Sequence, residues 1–327
     1  MDTEAFLRRV GLSGYDGPPR LEGLNQLHAA YVDQVPYETV QYQLTPGGAF
    51  EPEDVAKRIV ARETGGYCFQ LNGTFALLLT ELGYRVRMHR GGVQTVNRPG
   101  DIDGSHMVLT VSGLVEDPER WWLVDAGLGD GLRHPMPLET GEAEQYPFTL
   151  RLRPSEKTDG WRLDHDPRAN LIGMDFESAP VSLGAFAAQH RQLSADPVSP
   201  FVRLASAFRR TPESVVVLRS VGLSETFSEG RQHPARDPGR LLRRAGGRFP
   251  PAAPALLRHR PRRAVAPRLV PVRGLRQVAS ANMMLGRTES TAATAVQSES
   301  IVTAGVSMST ENGSSAGRRK SSAIQRR

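Results

Sequence analysis

The stretch TGGYCFQLNG, residues 64–73, sets the frame for reading the rest of the chain. Two glycines precede an aromatic residue and Cys68, the only cysteine among 327 residues. Beyond it Leu71, Phe75, Leu78 and Leu82 fall on one helical face, and Gly83 follows as a stop. A thiol at the head of such a helix feels the positive end of the backbone dipole, which favours thiolate. Free N–H groups there can also receive an oxyanion, and the glycines allow tight backbone geometry beside a nucleophile. A lone cysteine is by default a small buried hydrophobe; these neighbours argue instead for a nucleophile.

A cysteine nucleophile needs a base and a group that orients the base. His106, in DGSHMVLTV, stands at the head of an apolar strand, whereas the other histidines lie in ordinary polar, basic or turn surroundings. Asp125, in WWLVDAGLG, is a carboxylate on an otherwise apolar strand and needs a partner if buried. The competing readings are a surface histidine at a strand end and a turn-capping aspartate. Spacing alone does not choose between them.

Working outward, the first 90 residues read mainly as helices. Leu21, Leu24, Leu27, Tyr31 and Val35 form one helical stripe that Pro36 ends, and 51–60 reads as a second helix. From Tyr84 the pattern turns extended: RVRMHRGGVQTV, HMVLTVSGLV, WWLVDAGL, PFTLRLRP and GWRLDHDP are short strands between turn residues. Such a series suggests an antiparallel barrel or sandwich. Residues 183–193 read as another helix and 214–224 as one further strand.

Charge divides the chain. Residues 231–327 hold 19 Lys/Arg and 4 Asp/Glu, a net of +15, while residues 1–230 carry a net of −9. Residues 231–280 alone contain 13 arginines and eight prolines with one acidic and one aromatic residue. No apolar period survives there, so the segment is expected to be disordered. A basic tail raises the question of a nucleic-acid arm. Without aromatic residues for stacking or a recognisable module, specific nucleic-acid binding is not expected. A single cysteine excludes an internal disulfide and a Cys-rich zinc site, and no metal is expected. No apolar run approaches the ~18 residues of a membrane span, and MDTEAFLRRV lacks the layout of a secretory signal. A cytoplasmic protein is the expectation.

Residues 64–72 resemble the arylamine N-acetyltransferase signature R-G-G-[YFW]-C-[FYL]-[EQ]-x-N. His106 follows Cys68 by 38 residues, which is similar to the family spacing. VDAGLG (124–129) resembles the family's VDVGFG-type segment, VPYETV (35–40) its PFENL-type segment, and DPVSPFV (196–202) its HPxSPF segment. The resemblance runs in order over residues 5–205. It implies an α+β fold: an N-terminal helical bundle (1–90), a middle antiparallel β-barrel (91–205), and a C-terminal α/β lid. Here only 206–230 looks like the lid's beginning, before the tail at 231–327. It implies acetyl-CoA as co-substrate, an arylamine or hydrazine acceptor, and a Cys68–His106–Asp125 triad working by a ping-pong cycle. Tyr37, Tyr67, Phe69 and Met174 are candidate acceptor-pocket residues, and Gly104 and Ser105 are placed on the acetyl-CoA side.

Departures from the pattern matter too. Thr64 stands where the family has arginine, which removes an ion pair to Glu38 unless Arg62 replaces it. Thr39 replaces a frequent asparagine, and the gap from His106 to Asp125 is lengthened at 116–120. The composition beyond 230 is what a reading-frame change in GC-rich DNA would produce, and a missing lid would weaken CoA binding and water exclusion. Two related readings use the same triad: an amide synthase that releases a polyketide as a macrolactam, and a hydrolase with water as acceptor.

Overall fold

The computed structural model describes residues 1–95, 102–169, 171–220 and 222–232. The expectations for the basic tail, apart from its first two residues, lie outside them.

The N-terminal part is helical, as its periodicity indicates. Helix α1 (Thr3–Arg9) is capped by the Asp2 carboxylate, which accepts from the Ala5 N–H at 2.9 Å. Helix α2 (Leu21–Gln34) stops just before Pro36, and a two-residue strand β1 (Tyr37–Glu38) follows. Helix α3 (Pro52–Arg62) opens on proline, whose fixed φ suits a first turn, with Glu53 and Asp54 beside it.

Helix α4 (Cys68–Glu81) begins at the cysteine. Its C-terminus closes as a Schellman turn: the Tyr84 N–H donates to the Leu79 carbonyl at 3.0 Å, and Gly83 sits at φ +89°. The sequence pattern marks one apolar face on α4, but the structure buries nearly the whole circumference. Gln70, Asn72 and Thr74 are as buried as Leu71, Phe75 and Leu78, because α4 is a central helix packed from several sides. Burying those polar groups is tolerable only if their hydrogen bonds are supplied. Gln70 donates to the Ala49 carbonyl at 2.7 Å, and Asn72 is satisfied at the site described below.

Eight antiparallel strands then form one nearly closed barrel in the order β5-β4-β3-β2-β9-β8-β7-β6. Their ranges are β2 (Arg85–Gln94), β3 (His106–Ser112), β4 (Trp122–Val124), β5 (Met136–Pro137), β6 (Gly141–Gln145), β7 (Phe148–Pro154), β8 (Trp161–Asp164) and β9 (Gly173–Val181). Strand β3 is buried along its full length. Met107, Leu109 and Val111 join the helical core around α4, while Val108 joins the barrel core, so this strand links the two. At the seam between β6 and β5 a side chain does what a ladder would do. The Gln145 amide accepts from the Arg133 and His134 N–H groups at 2.9 and 3.0 Å and donates to the His134 carbonyl at 3.0 Å. Arg133 in turn makes a two-pronged contact with Asp33 on α2, at 3.0 and 2.6 Å.

The chain continues through a 3-10 turn (Leu183–Phe186) into α5 (Ala187–Ala195) and a short α6 (Pro200–Arg203). A second antiparallel sheet follows, ordered β1-β10-β11-β12-β13, with β10 (Ser206–Arg210), β11 (Val215–Arg219), β12 (Gly222–Phe227) and β13 (Gly230–Gln232). The single strand expected over 214–224 is therefore a hairpin. Arg219 pairs with Gly222, and Ser220 takes φ +50° as the chain leaves β11. Only Arg219 and Ser220 interrupt the apolar residues from Val215 to Val221, which hides that reversal from a pattern reading. No helix among the described residues is long and apolar enough to cross a membrane.

One core residue carries a liability. His28 on α2 is fully buried and stacked on Phe75 at 5.5 Å, and neither ring nitrogen completes a hydrogen bond among the described residues. Burial pushes its imidazole down from 6.5 to about 4, partly offset by the nearby Asp125 backbone. The unfolded chain binds this proton between pH 6.5 and 4 while the folded chain does not. Stability should therefore fall across that window, by up to about 3 kcal/mol, with no further loss from this group below it. His28→Leu should remove the slope: urea midpoints at pH 4.5 and 7 should lie closer together in the variant than in the parent. An unchanged spacing would show that His28 does not set the acid sensitivity.

Candidate active site

The head of α4 is seated by two close backbone approaches. A Cβ on Gly65 would lie 1.7 Å from the Pro36 carbonyl oxygen, and one on Gly127 would lie 2.7 Å from the Cys68 Cα. Only residues without a Cβ let these segments meet. Around Gly65 the packing is also polar. Its N–H donates to the Glu38 carboxylate at 2.7 Å, and the Glu38 N–H donates to the Gly66 carbonyl at 2.7 Å. The strand β1 segment is thus a clamp on the turn before the cysteine.

Glu38 is buried, which pushes its carboxyl up, while the Gly65 N–H and the Arg58 charge pull it back. Arg62, expected to stand in for the arginine lost at Thr64, is exposed at the end of α3. Arg58, one turn earlier, faces inward and donates to the Thr64 hydroxyl at 3.1 Å. Helical geometry decides this: Arg58 lies near the buried face with Val55 and Ile59, and Arg62 does not.

His106 and Asp125 meet in the interior. The His106 Nε2–H donates to Asp125 Oδ2 at 2.7 Å, with both residues 2% exposed or less. That bond leaves Nδ1 for Cys68, whose side chain the ring meets as a charge and hydrogen-bond partner. Burial opposes a charged ring, yet Asp125 and Cys68 outweigh it and push the His106 imidazole up to about 10. Cys68 Sγ also lies 3.6 Å from the Ser105 carbonyl oxygen. The arrangement is that of a thiol beside an imidazole held by a carboxylate, suited to nucleophilic acyl transfer.

Asn72 matches the last position of the family signature, but nothing in the sequence assigns it a role. It lies one turn beyond Cys68, so both project from neighbouring positions on α4. Its Nδ2 donates to Asp125 Oδ1 at 2.9 Å and to the Met107 carbonyl at 2.7 Å, and its Oδ1 accepts from the Ala126 N–H at 2.8 Å. The Gly127 N–H adds a second donor to Asp125 Oδ1 at 2.7 Å. One amide therefore joins the head of α4, strand β3 and the loop after β4. The available signal was that signature asparagine, on a helix whose apolar stripe makes burial of its neighbours expected and so demands partners for the amide.

The remaining candidates separate. Tyr67 and Phe69 are 0% exposed and belong to the helical core, and Met174 belongs to the barrel core. The aromatic residues beside the cysteine anchor the helix head; neither borders the small cavity beside Asp125. Tyr37 does border it, with Phe208 edge-on at 5.3 Å and Arg210 also in its wall. The cavity's free volume is about 10 Å³, roughly one water. Gly104 has φ +69°, and the exposed Arg90 guanidinium packs against it. Ser105 presents its carbonyl to the thiol. Among the described residues no cluster of three or more His, Cys, Asp or Glu is placed to hold a metal ion.

A family model described as N-acetyltransferase matches residues 20–239. The chain belongs to this N-acetyltransferase family. Arylamine N-acetyltransferase 2 of Mesocricetus auratus is 26% identical over 247 residues, covering 69% of this chain and 83% of the relative. Proansamycin X synthase of Amycolatopsis mediterranei is 31% identical over 167 residues, covering 50% and 61%. The solved arylamine N-acetyltransferase of Mycobacterium marinum in complex with CoA superposes with a TM-score of 0.67 at 26% identity, over 76% of this chain and 92% of that one. The helices followed by an antiparallel barrel agree with this N-acetyltransferase fold.

The Asn72 bridge yields a direct expectation. Asn72→Asp keeps the shape but replaces the donor to Asp125 with a second carboxylate, so one of the two must take a proton or the pair repels. The variant should be more destabilised at pH 7 than at pH 5 relative to the parent, read as urea midpoints. Turnover at pH 7 should fall by roughly tenfold or more, as for loss of a charge-assisted bond. A variant with parental stability and turnover at pH 7 would show that the bridge carries no weight.

Proposed function

We propose that this N-acetyltransferase-family chain moves an acetyl group from acetyl-CoA, through a thioester on Cys68, to the nitrogen of an arylamine or hydrazine. The observation that carries the proposal is the buried His106–Asp125 bond with the ring's second nitrogen left for Cys68 at the head of α4. Asp125 holds the Nε2–H, so Nδ1 keeps a lone pair able to take the thiol proton. The imidazolium so formed is stabilised by the same carboxylate.

In the first half-reaction the Cys68 thiolate attacks the acetyl carbonyl, and the departing thiolate of CoA takes its proton from His106. In the second, the acceptor nitrogen attacks the thioester and gives its proton to His106. The acetyl–sulfur bond then breaks and Cys68 returns as thiolate. We assign each oxyanion to the N–H groups of Cys68 and Phe69 at the head of α4. We place the donor along Gly104 and Ser105, because the Ser105 carbonyl is beside Sγ and the exposed Arg90 next to Gly104 offers a cation to a phosphate-bearing donor. We place the acceptor near Tyr37, which borders both β10 and the Asp125 loop.

A second reading is intramolecular amide formation from a carrier-bound polyketide, favoured by the similarity to proansamycin X synthase. It uses the same three residues and differs only in donor and acceptor.

Acetyl-CoA-dependent acetylation of an aromatic amine should follow parallel-line, ping-pong kinetics. His106→Gln and Asp125→Asn should each cut kcat/KM by about a hundredfold or more, and the double variant should lose little beyond the worse single. A double loss equal to the product of the single losses would mean that the two residues do not act as one unit.

A further inference from the structure

Tyr67 sits immediately before the nucleophile, at the N-cap of α4, in extended conformation and without a side-chain cap of its own. Its buried hydroxyl meets His190 Nδ1 at 2.5 Å. His190 lies on α5, more than a hundred residues further along the chain. The two rings stack nearly parallel, 5.9 Å apart and 7° from coplanar, and His190 also packs on Phe50 at 4.7 Å. On its other edge, Nε2 faces the Gly48 carbonyl at 3.4 Å. A carbonyl can only accept, so Nε2 carries the proton and Nδ1 accepts from the tyrosine hydroxyl.

The surrounding chemistry keeps that assignment fixed. Burial holds the His190 imidazole below its ordinary range, so the ring is neutral near pH 7, and burial likewise keeps the Tyr67 hydroxyl protonated. Neighbouring elements close around the same turn: Phe201 of α6 stands edge-on to Tyr67 at 5.1 Å, and Phe186 packs on Phe69 at 5.1 Å. Both aromatic flanks of Cys68 are therefore gripped by residues 186–201. Apolar packing alone fixes the rings' depth. The Tyr67–His190 bond adds direction, because a hydrogen bond weakens steeply when misaligned.

We propose that His190 is a positioning residue for the nucleophile, locking the backbone turn at Tyr67 so that Cys68 Sγ stays in register with His106. This rests on Cys68 being the reactive group and extends the positioning machinery to a helix outside the triad. Loss of the bond would let the turn before α4 relax, lengthening the thiol–imidazole contact and slowing proton transfer between them.

The test is the rate of Cys68 alkylation by iodoacetamide in the full chain, followed by intact mass from pH 5 to 10. Only one thiol is present, so the readout is unambiguous and needs no acyl donor. Tyr67→Phe and His190→Leu should each slow alkylation at pH 7 by about fivefold to tenfold and move the profile to higher pH. The double variant should be no slower than the worse single. His190→Asn, which returns an acceptor near the Nδ1 position, should recover to within about twofold of the parent. If His190→Leu does not fold, Tyr67→Phe, lacking a single oxygen, decides the matter. Parental rates and profile in Tyr67→Phe would overturn the proposal, as would a Tyr67→Phe loss that His190→Asn shares in full. Amine acetylation retained by Cys68→Ala would instead sink the functional reading, so the two fail separately.

Discussion

The arrangement of this molecule hangs on a close approach: the loop after β4 lies against the first turn of α4, with Gly127 almost touching the Cys68 backbone. Any Cβ at that position would push the loop outward and carry Asp125 with it. Because Asp125 reaches Asn72 and His106 at the same time, that displacement would dissolve the whole constellation. The glycine at 65 has the same task on the opposite side, where it seats the turn before the helix on Pro36. The geometry around Cys68 therefore depends on two absent methyl groups as much as on the three polar side chains.

Burial is the second condition. His106, Asp125 and Asn72 are all nearly inaccessible, and a buried polar group is tolerable only when its partners are in place. The network meets that condition through helix, strand and loop together, so it ties three elements in one fixed geometry. His28 shows the contrast within the same core. It lies beside the Asp125 backbone, yet neither ring nitrogen completes a hydrogen bond among the described residues, and its charge is suppressed where that of His106 is raised. Two buried imidazoles in one core differ because one has a carboxylate and a thiol and the other has an aromatic ring.

Much of this was legible in the sequence because each signal had a local cause. The Gly-Gly-Tyr-Cys turn placed the start of α4, Gly83 its end, and Pro36 the end of α2. His106 and Asp125 stood out as polar residues bordering apolar strands. Features that depend on distant segments were not legible. Nothing local shows that α4 is buried on every side, so Asn72 matched a signature without a role and Tyr67 and Phe69 read as pocket walls. Arg58 rather than Arg62 faces Glu38 for a helical-phase reason that becomes decisive only once the packed face of α3 is known. The reversal at Ser220 escaped because Val221 and Leu223 prolong the apolar pattern of β11 past the turn and no Asn-Gly or Asp-Gly pair marks it. His190 had no sequence signal at all, since its partner precedes it by more than a hundred residues.

The placement of the Cys68 thiol beside a carboxylate-held imidazole underlies one proposal above the others, that Cys68 itself carries the acyl group. Intact-mass analysis of the full chain after incubation with acetyl-CoA, without acceptor, reads this directly. The account predicts a single added acetyl group that maps to Cys68, disappears when an aromatic amine is added, and never forms in Cys68→Ala. An unmodified parent chain, or an acetyl group of equal occupancy on Cys68→Ala, would contradict it.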